Sequence, residues 1–436
     1  MLFRETWLGR AIISFVARPC LPVFNPGLFA RVCSSVRHCR FAGYTDILRW
    51  VHFGRRFGRS AGRGGGSWLR VVTNPGMNGN RPTAAKSGNA GASLYVLGAR
   101  QRKTVLRREE EWRLYESALI LEVEPETGLV ETRVDYKSPP EARAAQNSSN
   151  IFKSGTLVGN RLYTCTSTEV LVFELPEFRM VNYLSLSCFN DLHHVVPDAD
   201  GNLIITSTGL DMVVKATPDG KVLEQWNVLG EDPWARFSRD IDYRKVDSTK
   251  PHKSHPNFTF ELDGKPWVTR LNQRDAVCLH DRSKRIEIAA NPPHDGLVRG
   301  DYIYFTTVDG TVVKVDRHTL RVKETIDLKA IDGHKALLGW CRGLMPVDDT
   351  HFWVGFTRVR KTNLRENVLW VRNIFREGMT EKPTHLALYD IAEKKCLREF
   401  DLEAAGMNVV FSVFAAVPKP VESESLLVSS AGPAKS

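Results

Sequence analysis

Five of the twelve histidines fall in three short windows of the chain. The first window is Asn190-Asp191-Leu192-His193-His194, the second holds His252, His255 and Asn257, and the third is His294-Asp295. A fourth window opens with Trp340 and Arg342, and Arg270 lies between the second and the third. Two kinds of chemistry suit such residues. Neutral imidazoles from separate segments hold a divalent metal and leave a position open for water or substrate. On that reading His194, His255 and His294, with Asp191 and Asn257, are the ligands of calcium or zinc. In the other chemistry a histidine is nucleophile or acid and base beside arginines that bind an anionic group. The catalytic set is then His194, His255 and His294 with Arg270 and Arg342. The bland alternative is a set of turn residues, since Asp, Asn and His are common in turns.

Residues so far apart meet only if the fold repeats, and from residue 148 onward this one does. The clearest unit runs from His194 through an Asp-Gly-Asn turn to Thr206. It continues from Asp211 to a Pro-Asp-Gly turn at Gly220, and then from Lys221 to Trp226. Short β-rich runs separated by Asp, Gly and Asn turns make a meander. The same grammar recurs at 155–186, 258–289, 297–328 and 343–402, which gives five units with a period near forty residues. A sixth is assembled from both chain ends, with 409–417 and 426–429 as inner strands and 117–124 and 129–136 as outer ones. Residues 93–100 compete with 426–429 for one place. Closing a ring this way removes open sheet edges. The fold predicted is therefore all-β, a six-bladed β-propeller over residues 91–436. A β-sandwich with regular hairpins is the competing architecture.

In a propeller the innermost strand of each blade lines the axis, so the histidine windows, each just ahead of an inner strand, converge on one mouth. The insertions at 230–250 and 358–382 are read as loops over that mouth. The second carries Arg358, Lys361, Arg365, Arg372 and Arg376, and reads as a solvated lid or a surface for an acidic partner. Residues 103–114 read as a charged connector. A reactive thiol at Cys341, between Trp340 and Arg342, has no catalytic spacing to support it.

The net charge of +10 does not belong to the repeats. Residues 1–90 hold fourteen Lys and Arg against Glu5 and Asp46, leaving forty-six basic and forty-eight acidic residues in the remainder. A nucleic-acid footprint on the propeller is therefore not expected. The leader reads as an Arg-rich, acid-poor transit peptide, as a translated segment ahead of a start at Met77, or as a disordered basic tail. In each case residues 1–76 are expected to be dispensable for folding. The five cysteines beyond the leader are widely spaced and form no CxxC pair, so free thiols in a reducing, cytoplasmic setting are expected, or an organelle if the leader is a transit peptide. No run of eighteen apolar residues is present, so no membrane span is predicted.

The unit from His194 to Gly220 resembles blades of the six-bladed NHL-type and gluconolactonase/strictosidine-synthase-like propellers. There a polar residue opens the inner strand, Asp-x-x-Gly-Asn makes the first turn and Pro-Asp-Gly the third. The resemblance implies a calcium-dependent lactonase, a zinc-dependent lyase or a binding module. Asn190, Asp191 and Asn257 are available to a lactonase-type calcium set, for which no Glu is placed. A weaker resemblance is to arylsulfotransferase propellers, carried by His194, His255 with Asn257, Arg270, and His294 followed by a Gly-Asp turn. There the last histidine would carry the sulfo group. The expectation is thus a monomer binding or acting on a small anionic or polar molecule at the mouth, a metal-assisted hydrolase or lyase. A non-catalytic binding propeller and a group transferase are the alternatives.

Overall fold

The computed structural model describes residues 92–102, 114–146, 148–288, 291–333, 336–359 and 380–418. The leader, most of the 103–114 connector, the basic run from Lys361 to Arg376 and the 426–429 strand lie outside the described residues. Within them are six four-stranded antiparallel sheets, one α-helical turn at Leu328–Ile331, three 3-10 turns at Pro140–Ala142, Thr208–Leu210 and Tyr243–Lys245, and a short parallel pairing of Ala336–Leu337 with Thr380–Glu381.

Blade one is built from Leu94–Gln101, Tyr115–Val123 and Val130–Tyr136, with the carboxy-terminal Val409–Ala415 as its innermost strand. Blade two follows with Thr156–Val158, Arg161–Cys165, Val170–Glu174 and Arg179–Leu184. Blade three is Leu192–Pro197, Leu203–Ser207, Met212–Ala216 and Val222–Asn227; blade four is Pro256–Leu262, Lys265–Arg270, Asp275–Cys278 and Arg285–Glu287. Blade five is Leu297–Arg299, Tyr302–Thr307, Thr311–Asp316 and Arg321–Asp327; blade six is Trp340–Pro346, His351–Thr357, His385–Asp390 and Lys395–Asp401. The ring closes as expected with strands from both ends. The contested second place in blade one is taken by Leu94–Gln101, whose apolar run Leu94-Tyr95-Val96-Leu97 is buried.

A sandwich would have one core between two sheets. Here six cores lie one between each pair of neighbouring blades, and a seventh, smaller cluster of Ala99, Tyr115, Ile151, Val409 and Phe411 lies beside blade one. Leu203, Ile205 and Val214 of blade three pack on Cys165 and Val170 of blade two. Val277 and Val268 of blade four pack on Ile204 and Val213 of blade three. The remaining four interfaces repeat the pattern and join blade six back to blade one through Trp353, Leu386, Val410 and Leu121. That arrangement excludes the sandwich. The outermost strands face water, with Met180, Leu223 and Val322 exposed, and five of them pair with their neighbours through a bulge that twists the edge away from further pairing.

The inner strands carry the feature that shapes the site. Each has one residue too many for its neighbour. Pairing skips His193 in blade three, Asn257 in blade four, Gly343 in blade six and Phe411 in blade one. In blade five Pro293 pairs with Thr307 but Leu297 with Tyr304, and in blade two Lys153 N–H meets Cys165 O while Thr156 pairs with Tyr163. A bulge frees a side chain from the ladder and re-aims it. Hydrogen bonds then tie neighbouring bulges around the axis: Ser154 N–H to His193 O at 3.0 Å, Asn257 Nδ2 to Pro293 O at 2.9 Å, Gly343 N–H to Asp295 Oδ2 at 3.0 Å and Ser154 Oγ to Phe411 O at 3.3 Å.

Candidate functional site

The beginnings of the inner strands surround a cavity of about 880 Å³ at one mouth of the ring. Every blade contributes to its wall: Phe411, Lys153, His193, His255, Pro292 and Arg342, in the order of blades one to six. The 230–250 insertion also reaches it, with residues 244–252 as one side. That loop is fastened from below. Asn190 Nδ2 donates to the carbonyls of Tyr243 and Val246, both at 2.8 Å, and Lys245 Nζ bridges to Pro140 O at 2.8 Å.

His193 and not His194 faces the cavity. The bulge turns His193 toward the axis and sends His194 between blades three and four, where its ring stacks on Phe258 at 3.6 Å. Both nitrogens of His194 are engaged: Nε2 with Gly155 O at 3.1 Å and Thr156 Oγ1 at 3.2 Å, and Nδ1 as acceptor from Thr259 N–H at 3.3 Å. Burial pushes its pKa down to about 3.

The His193 ring lies 5.0 Å from that of His255 and 6.3 Å from that of His294. Its Nδ1–H donates to Asp191 O at 2.8 Å, which fixes the tautomer and leaves Nε2 for chemistry. His255 Nδ1 meets His252 Nδ1 at 2.9 Å, so one of the two donates to the other. Burial lowers the pKa of His193 and His255 well below the ordinary imidazole value, and lowers His252 and His294 as well. These rings are neutral at pH 7.

Asp191 and His255 hold equivalent places, two residues ahead of the bulges, and both have left-handed backbones with φ of 47° and 58°. Strain of that kind persists only where the surroundings enforce it. For His255 the enforcement comes from Asp211, which is 1% exposed. Its carboxylate accepts from the N–H groups of Lys253, Ser254 and His255 at 2.8, 3.0 and 2.8 Å, and pairs with Arg236 at 2.7 Å. The Asp191 carboxylate pairs with Lys153 Nζ at 3.0 Å. Burial works against its charge, but Lys153 and the nearby imidazoles hold its pKa well below the usual carboxylate range.

The two expected arginines part company. Arg270 is buried away from the cavity, forked onto Asp275 at 2.8 and 2.6 Å with a third bond to Val228 O at 2.9 Å. Arg342 lines the cavity, its guanidinium 4.4 Å from the Phe411 ring and 5.7 Å from the Trp340 ring. It has no ion pair among the described residues, and its Nε is buried without a partner.

Nor do the residues expected to hold a metal come together. His194 is committed to protein partners and Asp191 to Lys153, whereas Asn257 bonds Pro293 through Nδ2 alone. Among the described residues no three His, Cys, Asp or Glu side chains converge as a metal's ligands would. The described cysteines are free thiols, four of them buried, and burial pushes the Cys341 thiol well above its ordinary pKa. No helix among the described residues is long and apolar enough to cross a membrane.

No protein-family model matches the chain, and no curated protein does. Among solved structures, a protein of unknown function from Bacteroides caccae aligns at 11% identity and a TM-score of 0.46, covering 74% of this chain and 98% of that one. A catalytically inactive virginiamycin B lyase from Staphylococcus aureus with quinupristin aligns at 10% identity and a TM-score of 0.36, covering 54% and 69%. Likeness at this level says nothing of activity.

Proposed function

We propose that this propeller binds a small anionic molecule at its mouth and acts on it by proton transfer through neutral imidazoles. The observation that carries the reading is Arg342, a partly buried cation on an aromatic floor that makes no ion pair among the described residues, the Asp295 and Asp191 carboxylates acting on it only from beyond ion-pair distance. A charge held out of water without a partner costs stability, so a site that keeps one is built for an incoming anion. Lys153, 5.0 Å from the same Phe411 ring, is paired with Asp191 and adds no free charge. His193 presents an unprotonated Nε2 beside this anion site and serves as the base. The same Nε2 returns the proton to the product, so the ring ends neutral as it began.

Isothermal titration with phosphate, sulfate and short carboxylates tests the binding half of this reading. At least one is expected to bind, and Arg342→Gln to weaken it by about a hundredfold, the range of a lost charge-assisted contact. No binding of any of them, or full binding by the variant, overturns it. Once a substrate is in hand, His193→Gln separates the two halves: binding kept with turnover lost supports the base, and unchanged turnover removes it.

A further inference from the structure

Six Lys and Arg side chains line the cavity against two Asp. Lys153, Arg244 and Arg358 pair with Asp191, Asp242 and Glu403, but Arg143 and Arg342 make no ion pair among the described residues. Arg143 lies in the link between blades one and two, well apart in sequence from Arg342. Its half-buried guanidinium meets neutral acceptors: Nε donates to Ser138 O at 3.0 Å and Nη1 to Ser148 Oγ at 2.7 Å. Ser149 Oγ in turn accepts from Tyr115 N–H at 3.2 Å. A hydroxyl that accepts keeps its own proton to give, and accepting polarises that proton further. Neither serine proton meets an acceptor among the described residues.

Arg143, Ser148 and Ser149 all line the cavity, so a ligand there meets one guanidinium and two hydroxyl donors. The link that carries them is tied down at several points. Arg102 Nη2 donates to Ser148 O at 2.5 Å and Lys245 Nζ to Arg143 O at 3.3 Å. Asn150 accepts from Ser138 N–H at 2.9 Å and donates to Glu116 O at 3.0 Å. A site ordered before its ligand arrives loses less on binding. Donors alone suit a group whose exposed atoms all accept. A carboxylate offers two oxygens in one plane, whereas phosphate or sulfate offers oxygens around a tetrahedron to a guanidinium and two hydroxyls.

We infer that Arg143, Ser148 and Ser149 form a second subsite in the mouth, for a tetrahedral oxyanion, phosphate or sulfate. It adds to the anion site at Arg342 and does not depend on it. Tyr115, whose N–H holds Ser149, packs with Phe411 in one apolar cluster, and Arg342 lies on the Phe411 ring. The two subsites therefore share a wall.

Equilibrium dialysis of the full chain against radiolabelled phosphate or sulfate tests it. At least one ion is expected to bind at two sites per chain. Arg342→Gln is expected to keep the Arg143 site, and Arg143→Gln, checked for an unchanged circular dichroism spectrum, to lose it. In the Arg342→Gln chain, adding Ser148→Ala and Ser149→Ala is expected to weaken the remaining site by about tenfold. That serine variant decides the matter if Arg143→Gln does not fold, and unchanged affinity in it overturns the inference. A single site abolished by Arg342→Gln also overturns it and leaves the Arg342 reading standing. A single site abolished by Arg143→Gln alone supports it and removes the Arg342 reading. If neither ion binds, both fall.

Discussion

Arg270 and Arg342 are both held away from bulk water, yet they do opposite things for the molecule. Arg270 ends the second strand of blade four and stands directly across the hairpin from Asp275, to which it bonds twice. Its remaining donor reaches a carbonyl of blade three, so it joins two blades. Arg342 opens the inner strand of blade six and meets aromatic faces in place of a carboxylate. The lesson is that a charge is assigned by its partner rather than by its place in the repeat. The paired arginine belongs to the scaffold, and the unpaired one belongs to the mouth.

The harshest way to break that comparison is to make the scaffold arginine resemble the mouth arginine. Asp275 is fully buried and accepts from Arg285 at 2.7 Å as well as from Arg270. Asp275→Asn leaves the buried Arg270 guanidinium without its counter-charge, while the half-exposed Arg285 keeps Glu287 at 3.9 Å. The expected loss is about 3–5 kcal/mol, the usual cost of removing one member of a buried pair. Urea unfolding measures it, and a loss below about 1 kcal/mol would show that the pair is not what holds blades three and four together.

The same contrast marks what the sequence made legible. The strands fall within a residue or two of their predicted places, because Asp-Gly and Gly-Asn turns punctuate a regular period. The windows of the site were legible for the same reason, since each opens an inner strand. The residue within a window was legible only in part: His255 and Arg342 line the cavity as expected, whereas His194 and His294 do not. Strict alternation assigns faces by parity, and a one-residue bulge at His193 reverses it, exchanging His193 for His194. Lys153 carries the same signal, a polar residue ahead of an inner strand, and was missed because the search followed histidine. Arg270 was misread although Asp275 lies just across a short turn, where a cross-strand pair is readable. Asp211 had no local signal, for its partners are the backbone N–H groups of residues 253–255 in the next blade.

Acid probes the buried imidazoles. His193, His194 and His294 are buried, and their folded pKa values lie below the ordinary 6.5. Below pH 6.5 the unfolded chain therefore binds protons that the folded chain refuses. By linkage, stability is intact above that pH and falls as pH drops below it, for His194 until about pH 3. Each such histidine contributes a slope of up to about 1.4 kcal/mol per pH unit. Unfolding free energies at pH 7, 6 and 5 are expected to decline along that slope, and His194→Phe to flatten it by one such increment. A flat profile from pH 7 to 5 would mean that the rings take up protons in the folded state.

The smallest effect on stability is expected at Arg342, and that smallness is the point. Met in its place keeps a flexible chain over the Phe411 ring and removes a desolvated charge whose carboxylates, Asp295 and Asp191, lie beyond ion-pair distance. Replacing an uncompensated charge by an apolar group is neutral or mildly stabilising, so Arg342→Met should lie within about 1 kcal/mol of wild type or above it. Set beside the loss in Asp275→Asn, this separates an arginine kept for the fold from one kept in spite of it. Urea unfolding of the two variants side by side is the measurement. A loss of about 3 kcal/mol or more in Arg342→Met would place that guanidinium in the scaffold with Arg270, and the mouth would lose the residue on which its anion site depends.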